Sequence, residues 1–249
     1  MKKQVLTINE CYSDNLGDQA IAKSLSDLLL KQGYVAIQAD YTGNILNRNT
    51  QSAIEESKVS FKIKVINLVK KIEILRSLGW GLKSYKRVHD FVDNEFDFAV
   101  IGGGQLLLNN AHFPLALFLW THLLKRKKKD IYLFAVGCGD SFSQLNKYLI
   151  SRSLKYVKGI YVRDESSRLK LKVDFGFDSE VIPDVAYAYP KSSQDITEKK
   201  TNTIIVGIVD YRVFKRYAGE VGAIVISEEE YMQLWLDKIL EHEFDSILF

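Results

Sequence analysis

The chain has 249 residues, 47% of them hydrophobic and 26% charged, with a formal net charge of +3. That length and apolar content support one large domain or one and a part, and they exclude an intrinsically disordered chain. So small a charge gives no footing for nucleic-acid binding. Cys11 and Cys138 stand at no metal-ligand spacing, which predicts reduced thiols in a cytosolic protein. Met1 to Ile8 lacks the apolar core of a signal peptide, and no stretch approaches the roughly 20 apolar residues that cross a bilayer.

Strands and helices alternate along the chain. Val5 to Ile8 reads as a strand, Asp18 to Lys31 as a helix stopping at Gly33, and Val35 to Ala39 as a second strand. Tyr41 to Ser60 is polar and reads as a loop or lid. Lys62 to Leu78 and Leu82 to Val92 read as two helices split at Gly79 and Gly81. An apolar strand then runs from Phe98 into Gly102-Gly103-Gly104 at its mouth, and a helix follows from Phe113 to Lys127. Ile131 to Val136 is a strand and Lys147 to Val157 a helix. Gly159 to Val162 is a strand, Glu165 to Leu171 a helix, and Val181-Ile182 a brief strand ending at Pro183-Asp184. Such alternation implies right-handed crossovers and a parallel sheet.

The polar stretch Pro190 to Asn202 predicts a boundary. Residues 1–190 form an expected N-terminal Rossmann-like domain, 191–202 a linker, and 203–249 the start of a second Rossmann-like domain. In that second unit Thr203 to Val209 reads as a strand and Glu228 to Leu240 as a helix capped by Ser227. Asp245 to Phe249 reads as a strand just begun, so the second domain is expected to be truncated.

Several strand ends carry residues suited to a ligand. In the first loop, Gly17 permits tight backbone geometry, and Asn15 and Asp18 can each meet a ligand hydroxyl. Alternatively, Asp18 caps the helix and Asn15 closes a turn. Gly102, Gly103 and Gly104, followed by Gln105, let backbone amides approach a ligand closely, or else make a tight strand exit. Neither loop has the spacing of a dinucleotide fingerprint or the Lys-Ser/Thr of a P-loop. Arg163 can hold a carboxylate or phosphate, or pair internally with Asp184, which itself reads as a base or a loop anchor. Lys125 to Lys129 reads as a solvated helix end, with contact to anionic lipid as the sharper alternative. His89, His112, His122 and His242 are scattered, and only His112 follows the glycines closely. The acids show no metal-ligand spacing, so no metal is assigned.

Four motifs taken together carry a resemblance. Asn15-Leu16-Gly17-Asp18, Gly102-Gly103-Gly104 with Gln105-Leu106-Leu107, Val162-Arg163-Asp164-Glu165-Ser166, and Pro183-Asp184 occur in order over roughly Gln4 to Val209. This order and spacing resemble the polysaccharide pyruvyl transferase family. The first loop departs from the family's glycine-and-aromatic run, having Cys11, Ser13 and Asp14 instead. The resemblance implies an α/β fold of two Rossmann-like halves arranged as in GT-B glycosyltransferases. It implies transfer from phosphoenolpyruvate onto a sugar hydroxyl pair as a ketal, in cell-surface polysaccharide synthesis, with no cofactor.

The partners so implied are the phosphoenolpyruvate donor and a saccharide or lipid-linked saccharide acceptor, with peripheral membrane contact a further expectation. The location expected is the cytoplasm, at the inner face of the membrane. Asn15, Gly17, Asp18, Gly102, Gly103, Gly104, Gln105, Arg163 and Asp184 are the candidate substrate-binding residues, with Asp18 and Asp184 the catalytic candidates. The family's donor-binding basic residues and its histidine lie in the second half and map to no position here. Two alternatives stand beside this reading: a GT-B nucleotide-sugar glycosyltransferase, and a truncated, inactive binding module.

Overall fold

A computed structural model describes residues 3–13, 15–43, 73–109, 112–189, 203–207, 210–220, 224–241 and 246–248. Within Met1–Lys191, six parallel strands lie in the order β2-β1-β3-β4-β5-β6. They are β1 (Lys3–Asn9), β2 (Tyr34–Asp40), β3 (Phe98–Leu107), β4 (Asp130–Cys138), β5 (Gly159–Val162) and β6 (Glu180–Val181). The order reverses between β1 and β3. In open α/β sheets that switch point, at the carboxyl ends of the strands, is where ligands bind.

Right-handed crossovers fix which helix covers which face. The β1-to-β2 connection carries α1 (Leu16–Lys31) on one face, where Leu25 packs with Val5, Val100 and Ala135. The connections running the other way carry α2 (Glu73–Val92), α3 (Phe113–Arg126) and α4 (Gln144–Leu154). Their side holds the larger core, where Leu6, Ile101 and Leu133 of the sheet meet Val88, Leu117, Trp120 and Ile150. Full burial of such side chains contributes about 1.5–3 kcal/mol each. Trp120 brings a polar atom with it, and its indole N–H donates to the Tyr41 carbonyl at 3.0 Å. A short α5 (Glu165–Lys170) runs into a π turn at Leu171–Phe175, and a 3-10 turn at Val185–Ala188 follows β6.

Several boundaries differ from the expected ones. Helix α2 passes unbroken through Gly79 and Gly81. Each glycine costs a helix about 1 kcal/mol, but Ser84, Val88 and Val92 repeat at four-residue spacing and are buried. Gly81 also makes room for Leu115 of α3, whose Cδ2 lies 3.2 Å from the position of an added Cβ. Tertiary packing thus overrides local propensity. Helix α4 starts at Gln144, three residues before the expected Lys147, because the Ser143 hydroxyl accepts from the Asn146 amide. Residues 44–60 of the expected loop, 62–72 of the expected helix, and the expected linker 191–202 lie outside the described residues.

Ser192–Phe249 forms a separate unit. In it β7 (Thr203–Ile205) pairs in parallel with β8 (Ser246–Leu248), and α6 (Tyr211–Glu220) and α7 (Glu228–Leu240) lie between them in sequence. Helix α7 begins as expected at Ser227, whose hydroxyl and the Glu230 carboxylate complete a capping box. Helix α6 has no counterpart among the expected elements. Phe214 of α6 stacks on Tyr231 of α7 at 4.7 Å between ring centroids.

Candidate active site

The first loop turns into α1 at the switch point. Asn15 is the N-cap of that helix, its Oδ1 accepting from the Gly17 amide at 2.9 Å. The capping role therefore falls to Asn15 and not to Asp18, contrary to the structural alternative read from the sequence. Asp18 sits in the first turn, where the helix dipole favours its charge. Its Oδ1 lies 3.7 Å from the place a Cβ on Gly104 would occupy. Asp18 and the glycine segment therefore face each other.

The three glycines are not at the strand mouth, as expected, but inside β3, which continues to Leu107. Strand β4 is long enough to keep pairing beyond them, with Gly102 opposite Phe134, Gly104 opposite Val136 and Leu107 opposite Cys138. A Cβ at Gly102 would collide with the Phe134 carbonyl, so only glycine allows the two strands this approach. Gly103 has φ 74° and is pressed between Ile21 of α1 and Val185 after β6. The register slips after Gly104 in β3, and again in β4 between Leu133 and Val136, where Ala135 takes φ 52°. These adjacent irregularities bend both strands beside the crevice, and Gln105 emerges exposed.

Arg163 follows β5. Its guanidinium lies across Gly137, where a side chain would crowd it. Nη1 is 3.3 Å from Asp184 Oδ2 and Nε is 3.6 Å from Asp164 Oδ2, so the internal ion pair read as one option is formed. Asp184 also accepts from the Ala186 amide at 2.9 Å, and Asp164 caps α5 through the Ser167 amide at 2.7 Å. That amide bond and the two cations, Arg163 and Lys170, outweigh partial burial and hold the Asp164 carboxyl below the usual range. Val185, next to Asp184, touches the space over Gly103. The motifs around Asn15, Gly102, Arg163 and Asp184 thus gather toward the carboxyl-end side of the sheet, after β1, within β3, and after β5 and β6.

Motif reading passed over a group at the end of β1 and β2. Glu10 accepts from the Thr42 amide and hydroxyl, both at 3.2 Å. Asp40 is 3% exposed and accepts from the Gly43 amide at 2.6 Å and the Tyr12 amide at 3.1 Å. Burial, with the Asp40 charge second, pushes the Glu10 carboxyl up to about 7, despite the Thr42 bonds that favour its ionised form. Asn9 pairs in register with Asp40, is 1% exposed, and has a side-chain amide that finds no hydrogen-bond partner among the described residues. The Arg87 guanidinium lies against Gly43 and feels both carboxylates. An acid two residues past the strand-forming run Val5–Ile8 was the available signal.

Other candidates are accounted for locally. His112 stands at the start of α3 and stacks on Trp80 at 5.3 Å, His122 stacks on Phe118, and His89 pairs with Asp93. His242 lies outside the described residues. Lys127 pairs with Asp93 at 2.6 Å, and Lys129 bonds the Phe96 carbonyl. Cys11 and Cys138 are free thiols, each pushed up to about 12 chiefly by burial. Among the described residues no three His, Cys, Asp or Glu side chains could hold a metal ion. No helix among them is long and apolar enough to cross a membrane.

The family model for polysaccharide pyruvyl transferase matches residues 15–249. No curated protein matches the chain. The match covers most of the sequence, and the chain belongs to the polysaccharide pyruvyl transferase family.

Proposed function

We propose that this pyruvyl transferase draws its pyruvyl unit from phosphoenolpyruvate and sets it as a ketal on two hydroxyls of a saccharide, in the assembly of cell-surface polysaccharide. Family membership gives the reaction class, a pyruvyl donor and a saccharide acceptor. The observation that carries the rest is the crevice at the switch point. A helix N-terminus and a strand stripped of side chains at Gly102–Gly104 meet there, beside the half-buried Glu10 at the end of β1.

The chemistry needs a proton donor for the enol methylene, a base for the hydroxyl, and cations for the donor's carboxylate and phosphate. Asp18, Gly104 and Gln105 suit the acceptor side, being polar or bare where they face the crevice. Arg163 suits an anionic end of the donor, and Asp184 suits a positioning role, since its two oxygens already hold Arg163 and the Ala186 amide. We read Ser192–Phe249 as part of a second Rossmann-like domain, a reading supported by its parallel strand pair with intervening helices. A lipid-linked acceptor would place the protein at the inner face of the membrane. The basic run lends little to that contact, because Lys127 and Lys129 are engaged.

The test is phosphate release from phosphoenolpyruvate with methyl glycosides of galactose, glucose and mannose, with NMR detection of the ketal methyl group. Release that depends on the sugar is the expected result. Tight binding of a UDP-sugar by calorimetry, without phosphate release, would favour the glycosyltransferase reading instead.

A further inference from the structure

The two faces of the six-stranded sheet are covered unequally. Among the described residues, α1 and the 3-10 turn at Val185–Ala188 pack on one face, while α2, α3 and α4 line the other. Parallel sheets ordinarily have both faces covered. The thinly covered face opens into a cavity of about 580 Å³, with Leu25, Leu28 and Leu29 of α1 as one wall. Phe98, Val100, Tyr132 and Phe134 make its floor, and Tyr161 of β5 borders it. The rings brace one another edge to face, Phe98 lying 5.3 Å from Tyr34 and 5.8 Å from Tyr132 between centroids. A second cavity of about 360 Å³ shares Leu28 and Phe134 with the first, so the two form one groove.

The charged groups of the groove stand at its two ends. At the amino ends of the strands, Asp97 accepts from the Gln4 amide at 2.8 Å and Asp130 pairs with Lys158 at 2.7 Å. At the other end the second cavity is lined by Pro183, Asp184, Val185 and Tyr187. Asp184 also holds Arg163, and Val185 touches the space over Gly103. The groove therefore runs from the amino ends of the strands up to the candidate site, and the lining between carries no charge.

Resting on the saccharide-acceptor reading above, we propose that this groove binds an apolar chain carried by the acceptor, an aliphatic or isoprenoid tail on the saccharide. Cavities of this size take single small ligands. A hydrocarbon chain asks only for apolar contact, which the leucines of α1 and the aromatic floor supply. With its sugar in the crevice, such an acceptor runs its chain past Asp184 and along Leu28 and Phe134. Tyr187, 87% exposed beside that entrance, offers a further ring for the chain to pass over. Contact remote from the reacting atoms is equal in substrate and transition state, so it lowers KM and leaves kcat nearly unchanged.

The test compares methyl and octyl glycosides of the same sugar in phosphate release by the full chain, with the octyl compound kept below micelle-forming concentrations. Each buried methylene is worth up to about fourfold, so kcat/KM is expected to rise at least about 30-fold from methyl to octyl, through KM. Leu28→Glu puts a charge where the two cavities join, and should cut the octyl-to-methyl ratio at least about tenfold. Leu29→Gln is the milder second variant and should lower the ratio in the same direction. Equal kcat/KM for the two glycosides in the wild type would overturn the groove and leave the donor reading intact. An unchanged ratio in both folded variants would overturn it as well. So would a dimer in sedimentation that Leu28→Glu splits, with no gain from chain length, since a second copy would then fill the groove. A wild-type chain that releases no phosphate with any sugar overturns the donor reading instead. Calorimetry then decides the groove by itself: binding of the octyl glycoside with a negative heat-capacity change, lost in Leu28→Glu, supports it, and no binding overturns it.

Discussion

Substituting Glu10 by Gln should stabilise the protein at alkaline pH and leave it unchanged at acid pH. In the folded chain, burial and Asp40 raise the carboxyl from its ordinary 4.5 to about 7. A folded value above the unfolded one means that the acid's contribution is fully present below about 4.5. It is lost as pH rises through about 7, where the buried group must ionise. At 1.36 kcal/mol per pH unit the full difference is roughly 3 kcal/mol. Glu10 is only half-buried, and solvent screening reduces the expectation to about 1–2 kcal/mol. Glutamine is neutral at all pH values and can keep both Thr42 contacts, its oxygen accepting from the amide and its nitrogen donating to the hydroxyl. Urea unfolding at about pH 5 and about pH 8.5 reads the difference between the two proteins. Equal stability at the higher pH, or the same gap at both, would refute the burial argument.

Gly103→Ala puts a Cβ against Ile21 at φ 74°, and should cost about 2–4 kcal/mol in thermal or urea unfolding. A loss under about 0.5 kcal/mol would show that α1 can shift away from the strand. Asn15→Ala removes the cap of α1 and should cost about 1 kcal/mol, while Asn15→Asp should stay within a few tenths. Equal losses in both would mean that the asparagine serves the protein by some means other than its cap.

The composition and the alternation of apolar strands with amphipathic helices were enough to read a parallel α/β sheet, because burial periodicity is a local property of sequence. Four short motifs were enough to read the family, and residues 15–249 match its model. Ser227 marked the start of α7 because a cap and its partner, Glu230, lie within one turn of each other. What lay further apart in sequence was not legible. The glycines of β3 read as a strand end, and only the length of β4 beside them shows that pairing continues to Leu107. Gly79 and Gly81 read as a break, and only the buried side of α2 against α3 carries the helix through. The cap of α1 falls to Asn15 and not to Asp18, as the structural alternative had it, since which of two nearby polar residues caps a helix depends on backbone angles that spacing does not give.

Glu10 is the plainest case. As a letter it is one acid among many, with an ordinary affinity for its proton. Burial, the sheet register that sets Asp40 beside Asn9, and the nearby Thr42 and Arg87 change its chemistry. Those neighbours stand some 30 to 77 residues away in the chain. Sequence determined which elements form, because hydrophobic period and caps act over a few residues. Tertiary structure decided which side chains share a site and how they ionise, because solvation and charge depend on distance in space.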